Sequence, residues 1–247
     1  MLCYPRSGGT LLNRVLSSLE NTIVLSEVSP TSICQNKTPT IFDQARDWYN
    51  IPIIQGTFES ELEQIYNWTT KNDYQLIIRD WSFGSFVKTK YNNNTASFKL
   101  DTLSYISNTY PCSRFGFVRN AIDVWLSMYN SPHTFRDRDF AGMLKFALAL
   151  HKESIPLFKY EEFCQNPIKT LSSIGKSTGI RISDTVHPMS LLKFHTVNGD
   201  TDPLRGSRAL SKDKPVKLPR RKHNQHVKRE ILETTHIQKI NELFEYE

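Results

Sequence analysis

Apolar residues along this chain fall into short runs that alternate with longer stretches of helical spacing. Residues 1–5, 22–26, 75–79, 114–118 and 155–160 read as strands, each a brief apolar run. The intervening spacing predicts helices near 10–20, 58–71, 121–130, 137–151 and 161–177. The first of these puts Leu11, Leu12, Val15, Leu16 and Leu19 on one face. Such alternation predicts βαβ units and therefore an α/β fold, a parallel sheet flanked by helices. Ligands of such sheets bind beyond the carboxyl ends of the strands. Arg6, Glu27, Arg79, Asp80 and Arg119 each stand at or just past a strand end, so they are expected around one crevice. From about 196 to 226 the periodicity fades while Gly, Pro, Lys and Arg accumulate, and a long functional loop is expected. Helical spacing returns at Val227, Ile231, Ile237, Ile240, Leu243 and Phe244, predicting a C-terminal helix within 227–247. No internal repeat interrupts this order, and residues 1–247 read as a single domain.

Composition narrows the class. With 38% hydrophobic and 23% charged residues the chain is an ordinary globular one. No apolar run approaches the ~20 residues of a membrane span. The first strand starts at residue 1 and leaves no room for a signal peptide ahead of it, so the expectation is a cytoplasmic protein. Cys3, Cys34, Cys112 and Cys164 show no C-x-x-C spacing and are expected as free thiols, and the histidines lack a metal-ligand pattern, so no metal is assigned. The net charge of +6 draws on a basic stretch that includes Lys212, Lys214, Lys217, Arg220, Arg221 and Lys222. That stretch raises a non-enzymatic polyanion- or nucleic-acid-binding reading. The absence of aromatic residues between Leu204 and Arg229 removes a base-stacking surface, so no nucleic-acid partner is expected.

The most informative segment is Pro5-Arg6-Ser7-Gly8-Gly9-Thr10, a turn between the first strand and the first helix. There the backbone N–H groups converge at the positive end of a helix dipole, a setting for phosphate. Gly8 and Gly9 let the backbone approach an anion, Arg6 adds a fork of charged donors, and Ser7 and Thr10 add hydroxyls. The loop lacks the G-x-x-x-x-G-K-[ST] spacing, and its missing Lys weakens a P-loop-like kinase reading. A second segment, Arg114–Arg119, reads as a strand ending in Arg, followed by a helix capped by Asn120 that carries Ser127 eight residues after Arg119. Arg119 and Ser127 are thereby placed to share one phosphate.

These two segments, in this order, resemble the sulfotransferases. The donor loop of that family reads P-[KR]-[ST]-G-[ST]-[ST], which Pro5–Thr10 matches with Gly9 in place of a hydroxyl residue. Its 3′-phosphate motif also has an Arg at a strand end and a Ser eight residues on; Ala121 stands here for the usual Pro. A looser Tyr160-Glu161-Glu162-Phe163 with Asn166-Pro167 extends the likeness to about Gly179. The resemblance implies a P-loop-NTPase-like sulfotransferase fold and the donor 3′-phosphoadenosine-5′-phosphosulfate (PAPS), used without a metal. It implies donor binding by Arg6, Ser7, Gly8, Gly9, Thr10, Leu11, Arg119 and Ser127. It also implies a C-terminal lid in which Arg205, Gly206 and Ser207 cover the donor, with a merely solvated loop as the alternative.

Sulfuryl transfer requires positioning, stabilisation of charge on the leaving phosphate, and removal of one proton from an acceptor hydroxyl. Arg6 suits the second task. For the third, Glu27 is the first candidate, since some relatives place a Glu after the corresponding strand. Asp80 is the runner-up base, or a partner that holds Arg79. Trp81 stands where cytosolic members of the family carry the His of a K-x-H group, so a histidine base does not transfer. The expected acceptor bears a hydroxyl, whether on carbohydrate, lipid, peptide or small molecule.

Overall fold

The computed structural model describes residues 1–30, 39–87, 96–129, 140–182, 220, 225–226, 229 and 233–246. After an extended N-terminal segment come α1 (Gly9–Leu16), β1 (Thr22–Val28), α2 (Ile41–Tyr49), α3 (Phe58–Lys71) and β2 (Gln75–Asp80). These are followed by α4 (Ser82–Phe86), α5 (Asp101–Thr109), β3 (Gly116–Val118), α6 (Ala121–Tyr129) and α7 (Phe140–Lys152). The remaining elements are β4 (Leu157–Lys159), α8 (Tyr160–Gln165), α9 (Pro167–Thr178) and α10 (Thr235–Leu243).

The strands form two parallel pairs, β1 with β2 and β3 with β4. The first residues of the chain join the pairs. Met1 N donates to Ile78 O at 2.7 Å, and Asp80 N donates to Met1 O at 3.0 Å. On the other side Leu2 N donates to Phe115 O and Phe117 N donates to Leu2 O, making a parallel bridge to Gly116. The spatial order is therefore β1, β2, N-terminal segment, β3, β4, all parallel. The chain runs from that central segment outward to β1 on one side and later crosses to β3 on the other. In sheets of this kind ligands bind at such a reversal, beyond the carboxyl ends of the strands, and here the Pro5–Thr10 loop lies at that position.

Alternation within the central segment covers both faces of the sheet. Leu2 and Tyr4 join Val118, Val124, Phe146 and Ile240 in a core formed with α6, α7 and α10. Cys3 points the opposite way, into a core with Leu12, Val15, Phe117, Phe163 and Leu171 beneath α1, α8 and α9. A third core packs Ile23 and Leu25 of β1 against Ala45 of α2 and Leu62 and Ile65 of α3.

The expected strands at 22–26 and 75–79 each run slightly longer, and those at 114–118 and 155–160 shorten to three residues each. The helix expected over 161–177 divides at Asn166, where Pro167 supplies no N–H to continue α8 and the Asn166 side chain caps Lys169 N at 3.1 Å. Helices α2, α4 and α5 were not expected from the apolar spacing. The first of them begins with a reciprocal capping box between Thr40 and Asp43. The C-terminal helix is described from Thr235 to Leu243, while Val227 and Ile231 lie outside the described residues. Among the described residues no helix is long and apolar enough to cross a membrane.

Candidate functional site

The N-terminal segment ends in a loop whose shape is set by two left-handed residues, Arg6 at φ 69 and Gly8 at φ 89. A non-glycine residue in this region costs ~1–3 kcal/mol. Leu12, Val15 and Leu16 of α1 are fully buried at 0% exposure, and each contributes ~1.5–3 kcal/mol. Burial of the helix thus outweighs the strain of the loop that starts it. Gly8 is the N-cap of α1, and no side chain caps the helix. The amides of Gly8, Gly9, Thr10 and Leu11 consequently have no partner within the helix. Ser7 is buried, and its Oγ has no hydrogen-bond partner among the described residues.

Close packing accounts for both glycines. A Cβ on Gly8 would meet the Tyr160 ring at 2.4 Å, and one on Gly9 would meet Cys3 Sγ at the same distance, with Arg79 Cζ at 3.1 Å. At Gly9, Cys3 and Arg79 fill the space that a side chain would need.

The segment after β3 closes on the same loop. Arg6 Nε donates to Ser127 Oγ at 3.0 Å, and Arg119 Nη1 reaches Arg6 O at 3.4 Å. The Arg119 guanidinium lies 4.5 Å from the centre of the Tyr160 ring, a cation–π contact, and its Nε is buried without a partner. Two segments more than a hundred residues apart in sequence thus form one basic cradle. Its floor comes from the C-terminal part of the chain: Asn241 Oδ1 accepts from Ala121 N at 2.9 Å at the start of α6. Tyr246 donates from its hydroxyl to Glu161 Oε2, while Glu161 Oε1 lies 3.5 Å from Asn120 N. Burial, and then the Glu161 carboxylate, raise the Tyr246 phenol above its ordinary pKa.

On the other flank Glu27 sits in a bulge of β1. The register moves from Leu25 opposite Ile78 to Val28 opposite Asp80, and Glu27 adopts φ 55. Its carboxylate lies 3.6 Å from Arg79 Nη2, and its side chain is 16% exposed. Arg79 is buried and also touches Cys3 Sγ at 3.3 Å and Thr10 Oγ1 at 3.5 Å, linking Glu27 to the Pro5–Thr10 loop. Burial opposes the Arg79 charge, but Cys3 and Glu27 more than offset it and the pKa is raised.

The structure therefore brings Arg6, Ser7, Gly8, Gly9, Thr10, Leu11, Arg119, Ser127 and Glu27 around one place. Asp80 stands apart: its Oδ2 accepts from Ser82 Oγ at 2.6 Å, and the partner of Arg79 is Glu27. Burial pushes the Asp80 carboxyl up, against hydrogen bonds from Ser82 and Thr102. Arg205, Gly206 and Ser207 lie outside the described residues, as does the loop of 196–226 apart from Arg220, Gln225 and His226. Arg220 reaches the second segment, donating from Nε to Asp123 Oδ1 at 2.8 Å. Gln44, Asn13, Asn241 and Tyr246 were missed from the sequence. Of these, only Gln44 had a local signal, the Thr40-x-x-Asp43 box that opens its helix.

No family model matches this sequence, and no curated protein matches it. Among solved structures it is similar to a sulfotransferase domain from the curacin biosynthetic pathway. The likeness covers 100% of this chain and 96% of that one, at 13% sequence identity and a TM-score of 0.51. Parallel strands flanked by helices, joined through the N-terminal segment in the order found here, give this chain a sulfotransferase-like fold.

Proposed function

We propose that the chain is a PAPS-dependent sulfotransferase acting on a hydroxyl-bearing acceptor. The observation that carries this reading is a cradle in which the Ser7 hydroxyl and Arg119 Nε are buried with no acceptor among the described residues. The amides from Gly8 to Leu11 open from an uncapped helix start. Unpaired buried donors cost ~1–3 kcal/mol each, and phosphate oxygens would satisfy them. When bound, PAPS supplies the activated sulfuryl group and a phosphate leaving group.

The loop amides and Ser7 hold the 5′-phosphate end of the donor. Arg6, held by its bond to Ser127, brings its positive charge to the leaving oxygen on which charge builds. Arg119 and Ser127 bind the 3′-phosphate. Glu27 takes the acceptor proton, with Arg79 holding its carboxylate toward the loop. A kinase reading lacks the phosphate-binding Lys in this loop.

Calorimetry tests the reading with three ligands: the desulfonated donor 3′-phosphoadenosine-5′-phosphate (PAP), adenosine 5′-phosphosulfate and a non-hydrolysable ATP. PAP is expected to bind at least tenfold tighter than either of the others, without added Mg²⁺. Equal or tighter binding of the ATP analogue would overturn the proposal.

A further inference from the structure

We propose that Gln44 is the positioning residue that holds Glu27 in place; this rests on the reading of Glu27 as the base. Like Val24 two residues earlier, whose amide and carbonyl both bond Tyr49 Oη, Ser26 turns its buried amide and carbonyl away from β2, so they need other partners. Gln44 provides both. Ser26 N donates to Gln44 Oε1 at 2.7 Å, and Gln44 Nε2 donates to Ser26 O at 2.9 Å. The second Nε2 hydrogen reaches Pro39 O at 3.1 Å, so the amide of this buried side chain is fully used.

The clamp acts on the peptide units flanking the Ser26 α-carbon, immediately before Glu27. From there the chain enters the left-handed conformation at φ 55 that turns the carboxylate to Arg79. A left-handed Glu persists only where its neighbours over-determine it. Asn13 assists by donating from Nδ2 to Ser26 Oγ at 2.9 Å. Only a primary amide presents an acceptor and two donors on one planar head of this reach. Gln44 is carried by α2, whose start is fixed by the Thr40–Asp43 capping box. The base is thus positioned by an element on the flank of the sheet, away from the donor cradle.

The test uses Gln44→Met, Glu27→Gln and the double variant, with PAPS as donor, naphthol as acceptor and PAP release as the readout. Gln44→Met should lower kcat ~10–100-fold, up to the ~10² lower end of what acid–base catalysis contributes, while PAP affinity changes less than twofold. In the Glu27→Gln background the same change should cost nothing further, because the group it positions is already gone. Equal losses in both backgrounds would reduce Gln44 to a structural role and overturn the proposal. So would wild-type kcat in Gln44→Met where Glu27→Gln is slow. Wild-type turnover in Glu27→Gln would instead overturn the underlying base assignment.

Should Gln44→Met fold poorly, Gln44→Glu replaces it, since a protonated carboxyl offers one donor and one acceptor to Ser26. Burial raises such a carboxyl, so this variant should approach wild type near pH 6 and lose turnover as pH rises to 8. A pH profile parallel to wild type would count against the clamp.

Discussion

The donor cradle and the Glu27 bulge are built alike and finished differently. Each turns on a non-glycine residue in the left-handed region, Arg6 just past the N-terminal segment and Glu27 within β1. In the cradle, Ser7 Oγ and Arg119 Nε are buried without partners and the start of α1 has no side-chain cap. At the bulge, the Ser26 amide and carbonyl are both met by Gln44 and the Ser26 hydroxyl by Asn13, and the one atom left without a partner among the described residues is an acceptor, Asn13 Oδ1. Under the proposed function, the difference follows from what each region would hold. A multiply charged ligand brings its own acceptors, so donors left open are satisfied on binding. A carboxylate that exchanges a single proton gains little by binding and must be fixed by the protein beforehand.

The largest effect is expected where the comparison is most exposed, at Arg6. Arg6→Ala removes the charged fork and its bond to Ser127, and turnover should fall ~10²–10³-fold, as when one oxyanion donor is lost. PAP affinity should fall with it. Wild-type turnover in this variant would separate the cradle from the chemistry.

A smaller and more selective loss is expected at Arg119. Its Nε is open and its ring partner Tyr160 fixes the guanidinium plane. Arg119→Ala should weaken PAP ~10–100-fold, as expected for the loss of a charge-assisted hydrogen bond of ~1.5–3 kcal/mol. Adenosine 5′-phosphosulfate, which lacks the 3′-phosphate, should change by less than threefold. Equal losses for both nucleotides would remove Arg119 from the 3′ site.

The cradle was largely legible in the sequence, and the bulge was not. Arg6, Ser7, Gly8, Thr10, Arg119 and Ser127 sit in local patterns where strand, turn and helix follow one another within a few residues. That order is what brings them together. Glu27 was placed at a strand end, but its conformation depends on a register shift against β2 and on Gln44. These contacts arise only when the third core closes. Helix α2 escaped because only Ile41, Gln44 and Ala45 of its nine residues are buried, too few for an apolar stripe. Gly9 departed from the family pattern for a reason legible only in three dimensions, the approach of Cys3 and Arg79.

The smallest expected effect tests how the cradle's floor is held. Tyr246 donates to Glu161 and lies 3.4 Å from Val118 O, beside the segment that carries Arg119. Tyr246→Phe keeps the ring under Lys159 Nζ and removes only the hydroxyl. Losing one such bond costs ~0.5–1.5 kcal/mol, and for a chain of this size ~1 kcal/mol lowers Tm by ~2–4 °C. If the floor positions Arg119, PAP should weaken two- to fivefold while adenosine 5′-phosphosulfate is unaffected. The pH dependence supplies a second signature. The phenol's pKa is raised on folding from its ordinary 10.0, chiefly by burial, so its contribution is fully present below that pH. Above it the unfolded phenol ionises first, and the contribution is lost as pH rises through the folded value. Melting curves of wild type and Tyr246→Phe should therefore converge in strongly alkaline solution. A constant gap across the range would mean that the hydroxyl acts through packing alone, and an unchanged Tm at neutral pH would show that the Glu161 bond holds nothing.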